Sequence, residues 1–188
     1  MKILMIGGKS ASGKDQLSLY MKAHLEAQNK RVCVIHFGDL VKWLLKQCYD
    51  WNGKKDIQGR QLLQRLGTTV MREKYPTYWA EVVSKFLSAT SDDFDYALIP
   101  DWRFLNEKKT ICKYNKNVET IRVNRFKEYG DWYINPALTV QQAEHISETE
   151  LDDYWTDWVV QNNGTMDDLN EAALELVNLI INGDMNEQ

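Results

Sequence analysis

The chain opens with Met1-Lys2-Ile3-Leu4-Met5-Ile6-Gly7-Gly8-Lys9-Ser10-Ala11-Ser12-Gly13-Lys14-Asp15, and the rest of the fold can be worked out from this stretch. The apolar run at residues 3–6 predicts a strand buried on both faces of a parallel sheet. Gly8 and Gly13 then enclose residues 9–12, and Lys14 follows. This is the spacing of a phosphate-binding loop that leads into a helix.

A phosphate-binding loop requires successive backbone N–H groups to point into one concavity, and glycine permits the sharp bends that this needs. The N-terminus of the following helix adds unpaired N–H groups and the positive end of its dipole, and the Lys14 ammonium can reach the outer phosphates. The alternative is a glycine-rich turn that binds no ligand. The predicted loop consists of Gly8, Lys9, Ser10, Ala11, Ser12, Gly13, Lys14 and Asp15.

Asp15 departs from the usual pattern of such loops. The residue after the lysine is ordinarily Ser or Thr, whose hydroxyl ligates magnesium. Because a carboxylate is also a hard oxygen ligand, Asp15 is predicted to serve Mg²⁺ directly or through water.

Length and composition indicate an ordinary globular chain. The 188 residues fit a single domain, residues 1–188, and the net charge of −4 argues against a protein that coats nucleic acid polymers or an anionic membrane. No apolar run approaches the ~20 residues of a membrane span. Cys33, Cys48 and Cys112 are odd in number and lack C-x-x-C spacing, so neither a disulfide framework nor a zinc site is expected. These features favour a cytoplasmic location with reduced thiols.

Five strands alternate with helical segments, which predicts an α/β fold with a five-stranded parallel sheet and helices on both faces. The polar stretch at residues 49–59 is expected to be a mobile connection. The predicted strands are residues 3–6, 32–37, 96–101, 118–123 and 157–162.

Charged residues follow several of these strands, where ligands bind in open parallel sheets. Asp39 is either a site residue or the N-cap of the next helix. Asp101 is predicted to hold the water shell of Mg²⁺ or to accept a proton, the alternative being an exposed turn pair with Arg103. Arg122 and Arg125 gather at the end of the fourth strand, and the aperiodic residues after them suit either a lid or a plain surface crossover.

Four segments together resemble the bacteriophage-type deoxynucleoside monophosphate kinases, which belong to the P-loop nucleotide kinase superfamily. They are Gly-Lys-Ser-Ala-Ser-Gly-Lys-Asp at 8–15, Leu-Leu-Gln-Arg-Leu-Gly-Thr at 62–68 with Arg72 and Trp79, Asp-Trp-Arg-Phe-Leu-Asn-Glu at 101–107, and His-Ile-Ser-Glu at 145–148 followed by Asn-Asn-Gly-Thr at 162–165. The resemblance implies a three-layer P-loop kinase sandwich with an acceptor region at about residues 40–90 and a lid at about 125–147.

The same resemblance implies a reaction, ATP-dependent phosphorylation of deoxynucleoside monophosphates with Mg²⁺, and a set of site residues. Lys14, Asp101 and Arg103 would be catalytic, Asp15 and Asp101 would bind the metal, and the loop would bind ATP with Arg122 and Arg125. The substrate-binding residues would be Asp39, Gln64, Thr68, Arg72, Trp79, Arg103, Glu107, His145 and Glu148. Because two polyanions repel each other, the acceptor phosphate needs cations of its own, and Arg72 and Arg103 are the best candidates.

Several alternatives stay open at this point. A loop ending in Gly-Lys-Asp also occurs in animal-type phosphomevalonate kinases, so the acceptor can be another small phosphorylated molecule, and a non-catalytic ATP-binding switch would use the same loop. The sequence does not say which base is accepted. Tryptophans such as Trp43 and Trp51 belong either to the core or to a homodimer interface. A phage-encoded protein of this type would work in the host cytoplasm.

Overall fold

A single sheet of five parallel strands lies at the centre of the structure, a computed structural model that describes residues 1–127 and 130–186. The strands are β1 (Lys2–Gly7), β2 (Val32–Val34), β3 (Tyr96–Trp102), β4 (Val118–Asn124) and β5 (Trp158–Gln161). Their order across the sheet is β2-β3-β1-β4-β5, and every pair is parallel. The predicted α/β fold with a five-stranded parallel sheet is confirmed.

Helices connect the strands. They are α1 (Lys14–Ala27), α2 (Asp39–Cys48), α3 (Ile57–Gln64), α4 (Met71–Lys74), α5 (Tyr78–Ala89), α6 (Leu105–Tyr114), α7 (Val140–Ala143), α8 (Ile146–Thr149) and α9 (Met166–Asn186). A π-helical turn, Arg65–Val70, joins α3 to α4 without a break. Across the described ranges, none of these helices combines the length and the apolar character needed to span a bilayer.

β1 shows why the first strand organises the molecule. Its side chains alternate between two cores, with Leu4 and Ile6 in the core formed with α1 and α9, and Ile3 and Met5 in the core formed with α2 and α5. All four side chains have 0% exposure. Burial of one such side chain contributes ~1.5–3 kcal/mol, so this strand alone supplies a large share of the sheet's stability.

Three local predictions differ from the structure. β2 ends at Val34, so His36 lies beyond the strand rather than inside it. The connection at residues 49–59 contains the first residues of α3, and its Trp51 is buried and donates from Nε1 to the Lys54 carbonyl at 3.0 Å. Helix α6 was not predicted.

The predicted lid at about residues 125–147 remains a prediction. It contains α7 and the beginning of α8, and its residues 128 and 129 lie outside the described part of the chain.

Candidate active site

The glycine loop joins β1 to α1 at the carboxyl edge of the sheet. Gly8 has a φ of +155° and Gly13 a φ of +97°, and both are tightly surrounded. A Cβ at Gly8 would lie 2.6 Å from the Ser12 Oγ, and a Cβ at Gly13 would lie 2.2 Å from the Asn162 Nδ2. Neither position therefore accepts a side chain without rearrangement of the loop.

Two side chains from distant parts of the chain fix the loop backbone. Asn162, just after β5, donates from Nδ2 to the Ser12 carbonyl at 2.8 Å. Arg125, just after β4, donates from Nη1 to the Ala11 carbonyl at 3.2 Å and stacks its guanidinium 4.4 Å from the Tyr133 ring centroid. These two contacts hold the loop backbone from β4 and β5.

Lys14 places an ammonium under this loop. Its side chain is buried, and Nζ donates to the Lys9 carbonyl at 3.1 Å. Burial lowers the pKa of Lys14 to about 7, and repulsion from Arg103 adds to this effect, while nearby carboxylates oppose it. The site therefore holds a cation that is short of negative charge, which a bound phosphate would supply.

His36 bridges two carboxylates beside the loop. Its Nε2 lies 3.7 Å from the Asp15 Oδ1, and its Nδ1 lies 3.2 Å from the Asp39 Oδ2. Burial alone would lower the pKa of His36, but the two neighbouring carboxylates outweigh it and raise the pKa to about 9. The contact with His36 in turn lowers the pKa of Asp15 to about 2. The sequence analysis missed His36 because it was assigned to the strand, although its place after β2 was a usable signal.

Asp101, the last residue but one of β3, holds the neighbouring turn in place. Its Oδ1 accepts a hydrogen bond from the Phe37 N–H and its Oδ2 accepts one from the Gly38 N–H, both at 2.9 Å. Asp101 thereby draws the beginning of α2 against the carboxyl end of β3.

Arg103, which follows β3, contacts α8. Its Nη1 donates to the Ser147 carbonyl at 2.9 Å and to the Glu148 carboxylate. The other oxygen of Glu148 accepts a hydrogen bond from the Ser10 N–H at 2.6 Å. Glu148 thus links the glycine loop to the arginine that follows β3. His145 instead caps α8, accepting a hydrogen bond from the Ser147 N–H at 3.2 Å.

Asp152 forms ion pairs with two residues that were predicted to bind ATP, Lys9 and Arg122. The Lys9 Nζ lies 2.7 Å from its Oδ2, and the Arg122 Nη2 lies 2.9 Å from its Oδ1. Both cations also lie near the Trp132 ring, at 5.3 Å and 5.6 Å from its centroid. Asp152 could not be selected from the sequence, since these contacts join residues that are far apart in the chain.

Arg72 forms the opposite wall of the cleft. It pairs with the buried Glu107 and its guanidinium lies 4.0 Å from the Phe104 ring centroid. Within the described residues, its buried Nε and Nη1 atoms have no hydrogen-bond partner. Burial raises the pKa of Glu107 to about 7, although Arg72 and two backbone N–H groups act in the opposite direction. Arg72 thus carries two buried donors that no described protein atom uses.

These elements enclose a cleft of about 690 Å³. Of the predicted site residues, it is lined by Ser10, Ala11, Lys14, Asp15, Gln64, Thr68, Arg72, Trp79, Asp101, Arg103, Glu107 and Glu148. The predicted residues outside the lining are Gly8, Lys9, Ser12, Gly13, Asp39, Arg122, Arg125 and His145. Polar lining residues that the sequence analysis did not select include His36, Lys42, Lys55, Arg60 and Asn135.

The carboxylates of the cleft fit a magnesium ion that is bound mainly by phosphate oxygens. Over residues 1–127 and 130–186, no group of three or more His, Cys, Asp or Glu side chains is arranged to hold a metal alone. Mg²⁺ usually binds one or two carboxylates together with substrate phosphates and water. Asp15 is 68% exposed at the first turn of α1, and Asp101 keeps lone pairs beyond the two that accept backbone N–H groups.

A family model described as deoxynucleotide monophosphate kinase matches residues 51–173, well over half of the chain. This match includes Arg72, Asp101 and Glu148 but not the glycine loop. No protein with a curated description matches the sequence significantly.

Solved structures with a similar fold include kinases. The Mycobacterium tuberculosis APS kinase CysC in complex with AMPPNP and APS is 11% identical, with a TM-score of 0.54 and coverage of 95% of this chain and 96% of that chain. A gluconokinase from Sinorhizobium meliloti 1021 is 10% identical, with a TM-score of 0.54 and coverage of 100% and 97%. At such low identity these likenesses show a shared fold.

Proposed function

Because the chain belongs to the deoxynucleotide monophosphate kinase family and is therefore a phosphotransferase, we propose that it transfers the γ-phosphate of ATP to a deoxynucleoside monophosphate. One observation carries the proposal. Lys14, buried under the glycine loop, and Arg72, whose Nε and Nη1 have no partner among the described residues, line the same cleft, so that two anionic substrates would meet there.

The glycine loop, Lys14 and the N-terminus of α1 would bind the ATP phosphates. Backbone N–H groups and a desolvated ammonium suit this role because they lose little solvation when the anion arrives. APS kinase, which shares the fold, has been solved with the triphosphate analogue AMPPNP. Arg125 would lie at the edge of this subsite, since it already contacts the Ala11 carbonyl.

Arg72 and Arg103 would hold the acceptor. A guanidinium binds phosphate through two parallel hydrogen bonds, and Arg72 offers donors that no described protein atom uses. Gln64, Thr68 and Trp79 lie on the same wall and would contact the nucleoside part. Phosphoryl transfer depends on positioning the two phosphates and neutralising their charge, so these residues would lower the barrier without covalent chemistry.

Asp15 and Asp101 would hold a magnesium ion bound to the ATP phosphates. Such an ion would supply charge neutralisation at the oxygens of the transferred group. For Asp15 this role would require its carboxylate to turn from His36 toward the phosphates. His36 keeps a second partner in Asp39, so that its own charge stays paired.

The experiment that tests the proposal measures ADP release from ATP with a panel of acceptors. We expect ADP release to increase when at least one of dAMP, dGMP, dCMP and dTMP is added. Phosphomevalonate is expected to leave ADP release unchanged. Release that is indifferent to every deoxynucleotide would refute the proposal. The same panel would show which of the four bases the enzyme prefers.

A further inference from the structure

Gly67 lies in the π-helical turn Arg65–Val70, on the wall of the cleft that holds Gln64 and Thr68. A glycine inside a helix destabilises it relative to alanine, because glycine loses more backbone freedom on folding. Helical turns of this wide type often occur at functional sites. The presence of glycine at position 67 therefore needs a physical explanation.

The backbone does not require glycine at this position. Gly67 is absent from the described residues that have a positive φ. A Cβ built on it would meet only the two Val41 methyl groups, at 3.6 Å and 3.7 Å, which is ordinary van der Waals contact. By contrast, a Cβ at Gly59 in the preceding helix would lie 2.0 Å from the Lys54 carbonyl, so that glycine is needed for packing.

The turn around Gly67 is fixed in place. The Trp79 side chain is 2% exposed, and its Nε1 donates to the Gly67 carbonyl at 3.0 Å. This hydrogen bond ties the π-helical turn to α5, so the bare backbone at Gly67 is a fixed part of the cleft lining.

We propose that Gly67 is a specificity-determining residue, whose missing side chain lets the nucleoside part of the acceptor approach the π-helical turn beside Val41, which lines the same cleft. The proposal rests on the function proposed above. Arg72 follows on the same continuous helix, about 7 Å further along at ~1.5 Å per residue. An acceptor phosphate bound by Arg72 thus has its sugar and base within reach of Gly67.

The variant Gly67→Ala tests this proposal, because alanine fits the fold and fills only the cleft. We expect the KM for the deoxynucleotide acceptor to rise at least ~10-fold, with the KM for ATP within about twofold of wild type and the Tm no lower. The matched control is Gly183→Ala, a helical glycine in α9 with nothing within 4 Å of its added Cβ. This control is expected to leave both KM values unchanged.

The acceptors used identify which part of the nucleoside lies there. A larger rise with purine than with pyrimidine acceptors would assign the contact to the base, and an equal rise would assign it to the sugar. An acceptor KM within about twofold of wild type would overturn the proposal, as would a lowered Tm with losses toward both substrates. Failure of the proposed function is distinguishable, because the wild-type protein would then show no acceptor-dependent ADP release.

Discussion

Replacing Lys14 with methionine is expected to stabilise the ligand-free protein and to abolish its activity. The pKa of this buried ammonium falls from 10.5 to about 7, which corresponds to about 5 kcal/mol of unfavourable free energy for the charged form in the folded state. Methionine keeps the buried apolar stem. The Lys9 carbonyl loses a hydrogen bond worth ~1–2 kcal/mol, so the net gain in unfolding free energy is ~3 kcal/mol at pH 6.5.

The pH dependence follows from the direction of the shift. Between pH 7 and pH 10.5 the unfolded lysine holds its proton and the folded lysine does not, so wild-type stability rises with pH in this window. Below pH 7 both states are protonated and the full penalty applies. The stability gap between Lys14→Met and wild type should therefore be largest below pH 7 and should shrink by ~1.4 kcal/mol per pH unit above it.

Urea unfolding of both proteins at pH 6.5 and pH 9 measures this gap, and an ADP-release assay measures activity. We expect at least a ~100-fold loss of turnover, because the lysine charge would act on the transferred phosphate. A variant that is less stable than wild type at pH 6.5, or a gap that stays constant up to pH 9, would refute the reasoning.

Three further substitutions test other parts of the site. Arg72→Met should raise the acceptor KM at least ~10-fold. It should also lower the unfolding free energy by ~3 kcal/mol, since Glu107 loses its buried partner. Adding Glu107→Gln to this variant should restore the stability but leave the acceptor KM high. Asp152→Asn should raise the KM for ATP several-fold, because Lys9 and Arg122 lose their shared carboxylate partner. The control Asp153→Asn, at an exposed neighbouring position, should leave this KM unchanged. Equal effects of the two substitutions would contradict the prediction. Asp15→Asn should raise the Mg²⁺ concentration needed for half-maximal rate, and an unchanged titration would reject a metal role.

The sheet could be predicted because its signal is local. The apolar run of β1 and the β-branched residues of β4 are apparent within a few positions. Helix α6 was missed because three lysines, at positions 108, 109 and 113, dilute its apolar periodicity. Its start is fixed by tertiary contacts, since the Leu105 N–H donates to the Glu150 carboxylate at 2.7 Å.

The sequence predicted which residues belong to the site better than it predicted which of them contact each other. The glycine spacing, Lys14 and Arg72 could be selected from motifs, and all line or border one cleft. Which cation pairs with which carboxylate could not be selected, because Lys9 and Asp152 are separated by 143 positions. Asp152 has no motif around it, and only the folded chain brings it to the glycine loop.

The hydrogen bond from Asn162 to the Ser12 carbonyl spans 150 positions of the chain. During synthesis the first strand and its glycine turn leave the ribosome long before β5 exists, so the emerging chain lacks the contact that shapes the turn. Nascent chains should gain nucleotide affinity only after β5 has joined the edge of the sheet. A premature stop before residue 162 would then yield a polypeptide that carries the complete glycine motif and still fails to retain ATP.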